Sequence, residues 1–146
     1  MASVIRGDDN FDTTPPRSGR VVRTSGGVTT TSTSLVDLTG ATLTLTTGAN
    51  PLAYGATGMG YNNTVNEYVY FNYNIDGTLL HGTRGIGAYQ KANSGSYDEN
   101  MSFSGITAVL TAGSHTIKEQ WRVSAGTGTV RADSNNARSF YAFEVR

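Results

Sequence analysis

From Thr29 onward, apolar and polar residues alternate in short runs separated by Gly, Asn, Asp and Ser. In ATLTLTTG (41–48), Leu43 and Leu45 fall on one side and Thr42, Thr44 and Thr46 on the other, the signature of a half-buried strand. TSTSLVDLTG (31–40) places Leu35 beside Val36 with Leu38 following, and Gly40 breaks the run. ANPLAYGATGMGYNN (49–63) reads as a Gly-rich loop or irregular edge. NEYVYFNYNIDGTLLHG (66–82) predicts a hairpin, with Asp76-Gly77 as the turn between an aromatic strand and a short return strand. Further strands are predicted in RGIGAYQ (84–90), SYDENMSFSG (96–105), ITAVL (106–110), HTIKEQWRVS (115–124), GTVRA (128–132) and SFYAFEVR (139–146). Turns are predicted at Ala112-Gly113-Ser114 and at Asp133-Ser134-Asn135-Asn136. Short antiparallel strands with no credible helix predict an all-β sandwich or jelly roll.

Two strands carry apolar residues on both sides. In the aromatic strand Val69, Phe71, Tyr73 and Ile75 share one face, while Tyr68, Tyr70, Asn72 and Asn74 share the other. In the last strand Tyr141, Phe143 and Val145 form the face assigned to the core, and Phe140 and Ala142 lie opposite. A sandwich needs only one inner face per strand, so Tyr68, Tyr70, Phe140 and Ala142 are expected at an oligomer interface.

The first 27 residues break the pattern. They mix Arg6, Arg17, Arg20 and Arg23 with Asp8, Asp9 and Asp12, contain Pro15-Pro16, and offer only isolated apolar anchors. Few apolar side chains cannot offset an ordering cost of about 1–2 kcal/mol per residue. Residues 1–27 are therefore expected to be an extended arm and 28–146 the folded domain.

Composition supports a sheet protein: 18 Gly, abundant Thr and Ser, and more Tyr than Phe. Charged residues make up 15% of the chain and cancel to zero net charge, which removes the field that sequence-independent nucleic-acid binding requires. No apolar run approaches the roughly 20 residues of a membrane-spanning helix. The first residues lack the apolar segment of a secretory signal, so synthesis without such export is expected. The absence of cysteine excludes disulfides and thiolate metal sites.

Catalytic patterns are wanting. His81 and His115 lie on separate segments, no HExxH, GxSxG or GK[ST] spacing occurs, and no cofactor or metal is implied. Asp98 and Glu99 are adjacent, and neighbours on a strand point to opposite faces, so they do not converge for glycoside hydrolysis. Glu119 alternates with Ile117, Trp121 and Val123, which turns its charge toward the core. A buried carboxylate there requires a cation, with Arg84 or Arg122 as candidates. Trp121 belongs to the same alternation and is assigned to the core. Tyr61, Tyr89 and Tyr97, among many Asn, Ser and Thr residues, are the candidate contacts for a glycan.

The run RGDDNFD (6–12) contains an integrin-type Arg6-Gly7-Asp8 tripeptide, a match short enough to arise by chance. Asp8, Asn10 and Asp12 copy positions 1, 3 and 5 of a calcium loop, but Thr13 stands where Gly is needed and Gly19 where the bidentate Glu is needed. The remaining reading is an anchor, in which Val4, Ile5 and Phe11 enter a neighbour's pockets while Arg6, Asp8, Asp9 and Asp12 set register.

GRVVRTSGGVTTTSTSLVDLTGATLTL, the later LTAGSHTIKEQWRVSAGTGTV and the terminal SFYAFEV together resemble the small jelly-roll proteins and fibre tips of tailed bacteriophages, whose fold is similar to C1q and tumour necrosis factor heads. The resemblance covers residues 19–146, and SVIRGDDNFDT resembles leader segments of phage virion proteins. It implies a homotrimer with Tyr68, Tyr70, Phe140 and Ala142 near the threefold axis. It also implies a non-enzymatic virion-surface protein, made in the host cytoplasm and seated by its arm on a major capsid or tail protein. The alternative it leaves open is a tail-fibre tip that recognises host surface glycans. Neither reading involves nucleic acid or membrane.

Overall fold

The computed structural model describes residues 17–82, 85, 87–90 and 98–146. Eleven strands are described: β1 (Ser18–Arg23), β2 (Val28–Thr30), β3 (Val36–Thr47), β4 (Leu52–Asn62), β5 (Tyr68–Ile75), β6 (Thr78–Leu79), β7 (Gly87–Gln90), β8 (Glu99–Ile106), β9 (Gly113–Val123), β10 (Gly128–Arg131) and β11 (Arg138–Glu144). They form two antiparallel sheets packed face to face, an all-β jelly-roll sandwich.

The first sheet is organised by β4. Along one edge it pairs with β11 and then β10, which lie end to end, and along the other edge with β8. Outside β11 and β10 lie β1 and β2 respectively. Each outer pair thus behaves as one interrupted strand. The second sheet runs β3-β9-β5, with β6 and β7 sharing the far edge of β5.

The hairpin at Asp76-Gly77 forms as its sequence predicts. Both residues have positive φ, 50° and 88°, which matches the twist of a two-residue connection between paired strands. Val69, Phe71, Tyr73 and Ile75 face the core, as do Ile117, Trp121 and Val123 on β9. On the other side of β5, Asn72 is fully buried because the segment after β6 folds over it. Its Nδ2 donates to the carbonyls of His81 at 2.6 Å and Gly82 at 3.1 Å.

Several expectations change. Residues 18–23 of the expected arm pair with β11 along their whole length, so they belong to the sheet. Gly19 sits over Leu45 and Leu43, with no room for a side chain. Gly40 does not end a strand. It takes φ +71° at a bulge between Asp37 and Thr42, and β3 continues through it. The segment expected as a loop at 49–63 contains the central strand β4. Its glycines mark close approach: a Cβ at Gly55 would collide with the Tyr141 hydroxyl and lie 2.7 Å from the Phe103 carbonyl oxygen. ITAVL contributes only Ile106, at the end of β8.

The last strand shows the reverse of its predicted orientation. Phe140 and Ala142 are each 1% exposed in the core, whereas Tyr141, Phe143 and Val145 point away from it. Glu144 shares the inward side with Phe140 and Ala142. Its buried carboxylate accepts from the Gly48 N–H at 2.6 Å, Asn50 Nδ2 at 3.0 Å and Arg146 Nη2 at 2.8 Å. The Asn50 amide above all, then the Gly48 N–H and Arg146, outweigh burial and hold the carboxyl down to about 2.

Candidate functional site

The titratable side chains near the core are structural. Glu119 is buried on β9, as its alternation predicts, and pairs with Arg138 at 3.4 Å across the two sheets. Of the two expected partners, Arg122 faces outward from β9, and Arg84 lies outside the described residues. His81 Nε2 lies 2.8 Å from the Tyr54 hydroxyl, and His115 bridges Asp76 and the Thr111 carbonyl. Asp98 pairs with Arg131. Among the described residues no three His, Asp or Glu side chains converge on a common point that could hold a metal ion. The two outer faces carry the exposed side chains considered next.

The outer face of the first sheet is laid out by strand register. Ser18, Phe143, Ala53 and Ile106 form one row across β1, β11, β4 and β8. Arg20, Tyr141, Gly55 and Ser104 form the next, and Val22, Ser139, Thr57 and Ser102 the one after. Phe143 is 42% and Ile106 60% exposed, with the small Ala53 between them, and Tyr141 stacks on Phe143 at 6.5 Å between centroids. The result is an apolar band bordered by Arg20, Tyr141 and small residues such as Gly55 and Ser104. The sequence did signal a second apolar face on the last strand; it concealed which of the two faces that was.

Tyr61 lies on this face at the far end of β4, half-buried, with the Arg131 guanidinium 5.7 Å from its ring centroid. A nearby open hollow of about 360 Å³ is lined in part by Thr57, Met59, Asn100 and Asn135. Of the other candidate glycan contacts, Tyr89 lies on β7, whose side chains are outside the described residues, and Tyr97 lies outside them altogether. The anchoring residues Val4, Ile5, Arg6, Asp8, Asp9, Phe11 and Asp12 also fall outside the described residues.

Tyr68 and Tyr70 occupy the opposite side of the molecule, on the outer face of the second sheet. Their rings stack at 5.8 Å, and Arg122, the cross-strand neighbour of Tyr70, places its guanidinium 4.3 Å over the Tyr70 ring. The four residues expected at one interface thus do not share a surface: two lie in the core, and two lie on the outer face of the second sheet, which the last strand does not join. Phe140 and Ala142 are withdrawn from any interface because the core already covers them.

No protein-family model matches the chain, and no curated protein sequence matches it. Solved structures do. A structure of the Gt strain of infectious bursal disease virus superposes with a TM-score of 0.52 at 15% identity, covering 90% of this chain and 38% of that one. Eiger TNF from S. frugiperda gives a TM-score of 0.49 at 12% identity, covering 90% of this chain and 94% of that one. The chain therefore spans less than two-fifths of the viral chain it matches. At such identity the likeness to the viral structure is one of fold, and the shared fold is the jelly-roll sandwich.

Proposed function

We propose that this protein is a non-enzymatic structural component of a bacteriophage virion, a homotrimer seated on a capsid or tail protein by the residues preceding β1. The observation that carries the reading is the apolar band of Phe143, Ala53 and Ile106 on the outer face of the first sheet. Exposed apolar surface of this kind marks a protein interface. The jelly-roll fold and the sequence resemblance to phage virion modules support the assignment to a particle. Tyr141, Phe143 and Ile106 replace Phe140 and Ala142 as the interface residues of this reading.

The test removes residues 2–16, which leaves β1 intact. The expected result is a folded trimer, seen by sedimentation, that no longer co-purifies with particles. Full retention on particles would sink the proposed anchor. A second reading, a fibre tip that recognises host glycans, is favoured by the half-buried Tyr61 on the same strand as Thr57 and Met59, which line the amide-bearing hollow. It requires that Tyr61→Ala particles assemble normally and adsorb poorly. Unchanged adsorption removes it.

A further inference from the structure

We propose that the hollow bordered by Thr33, Ser34, Leu35 and Arg122 binds the carboxylate of an acidic sugar, with Arg122 as the anion donor. This site lies on the outer face of the second sheet, away from Tyr61, and does not depend on a virion role.

The argument begins with the arginine. A long flexible side chain on a sheet surface ordinarily loses rotamer entropy on binding an anion. Here the guanidinium is already held. It lies 4.3 Å over Tyr70, whose ring is braced by Tyr68 at 5.8 Å, and its Nη1 is directed at the Thr33 carbonyl oxygen at 3.4 Å. The contact with Tyr70 restrains the guanidinium near the hollow, and a planar guanidinium meets a carboxylate edge to edge through its N–H donors.

The surroundings suit an anion. The outward residues of β9 nearest the hollow include Lys118, Gln120 and Arg122, and Asp37 on the adjacent strand is engaged by Lys118 at 2.6 Å and Gln120 at 2.7 Å. The hollow measures about 410 Å³ and is open to solvent, within the range of small-ligand sites of about 300–1,000 Å³. Its other walls give it a preference beyond charge. Thr33 and Ser34 supply hydroxyls that pair with sugar hydroxyls, and Leu35 supplies an aliphatic surface for a ring's C–H face. A polyanionic nucleic acid is a poor fit, because the chain as a whole carries no net charge to draw it. The site also faces away from the apolar band on the first sheet, so association through that band leaves it accessible.

The test is a titration of the isotope-labelled protein with sodium glucuronate and with N-acetylneuraminate, followed by amide and arginine Nε resonances. At least one acidic sugar is expected to shift Thr33, Ser34 and Arg122, with glucose at least tenfold weaker. Arg122→Gln should weaken binding at least tenfold without changing the rest of the spectrum, and Tyr70→Leu should weaken it severalfold although the charge remains. The proposal is overturned if neither acidic sugar binds, if glucose binds as well, or if Arg122→Gln binds normally. Acetate and inorganic phosphate binding as tightly as the sugars would also overturn it, since the hollow would then read charge alone.

Discussion

Arg138 and Glu119 meet inside the sandwich, with Arg138 Nη2 donating to Glu119 Oε2 across 3.4 Å and the two residues rooted in opposite sheets. The pair is almost wholly removed from water, and the second carboxylate oxygen and the hydroxyl of neighbouring Tyr73 find no hydrogen-bond partner among the described residues. Such a pair resists separation of its members more than it stabilises the fold, because desolvation offsets much of the attraction. Arg138→Met should therefore cost about 3–5 kcal/mol by removing the partner of a buried carboxyl. Arg138→Met combined with Glu119→Leu should lose much less, as measured by urea unfolding. A double variant as unstable as the single one would show that the pair contributes through packing rather than charge.

The same site sets a pH dependence. Burial pushes the Glu119 carboxyl up to about 7 from an ordinary 4.5, with Arg138 opposing. Between those values the folded protein holds a proton that the unfolded chain releases, so stability falls as pH rises through this window and levels off above it. The span corresponds to roughly 3 kcal/mol. Glu119→Gln should flatten the change in melting temperature between pH 5 and pH 7.5, and an unchanged slope would place the titration elsewhere.

His115 and Asp76 tie β9 to the hairpin turn. His115 Nδ1 lies 2.6 Å from Asp76 Oδ2, and the Thr116 N–H donates to Asp76 Oδ1 at 2.8 Å. The hydrogen bond to Asp76, then that to the Thr111 carbonyl, raises the His115 pKa above 6.5. Its contribution is complete below that ordinary value and is lost as pH rises through the raised one. Asp76→Ala should cost about 1–2 kcal/mol at pH 5.5 and less at pH 9. Equal losses at both pH values would assign the effect to the turn alone.

Gly55→Ala should destabilise by about 1–3 kcal/mol, because the added methyl meets the Tyr141 hydroxyl and the Phe103 carbonyl in the middle of β4. Gly82→Ala, with nothing among the described residues within 4 Å of the new methyl, should change the midpoint of unfolding little. Comparable effects at the two positions would count against the close approach.

Phe143→Asp places a charge in the apolar band without touching the core, since Phe143 points outward. The expected outcome is a stable monomer by sedimentation equilibrium, whereas Tyr68→Ala leaves the oligomer intact. A trimer that survives Phe143→Asp and dissociates with Tyr68→Ala would move the interface to the second sheet.

The sequence by itself determined the strand type, the Asp76-Gly77 turn, the burial of Trp121 and the inward charge of Glu119. Period-two alternation is a local property, and one strongly apolar face leaves a single choice of orientation. Where both faces are apolar, as in SFYAFEV, the alternation has no preferred phase. The tertiary structure decided it: Phe140 and Ala142 go inward together with Glu144, whose carboxylate on that side is satisfied by Gly48, Asn50 and Arg146. The glycines of β4 have the same origin. Their local signal is loop-like, and only the approach of Tyr141 and Phe103 explains why a central strand carries Gly55. The Glu119 partner lay 19 residues away on the other sheet, a pairing that no spacing rule reaches. The separation of Tyr68 and Tyr70 from the last strand likewise follows from which sheet each strand joins, and that depends on long-range pairing rather than on any single segment.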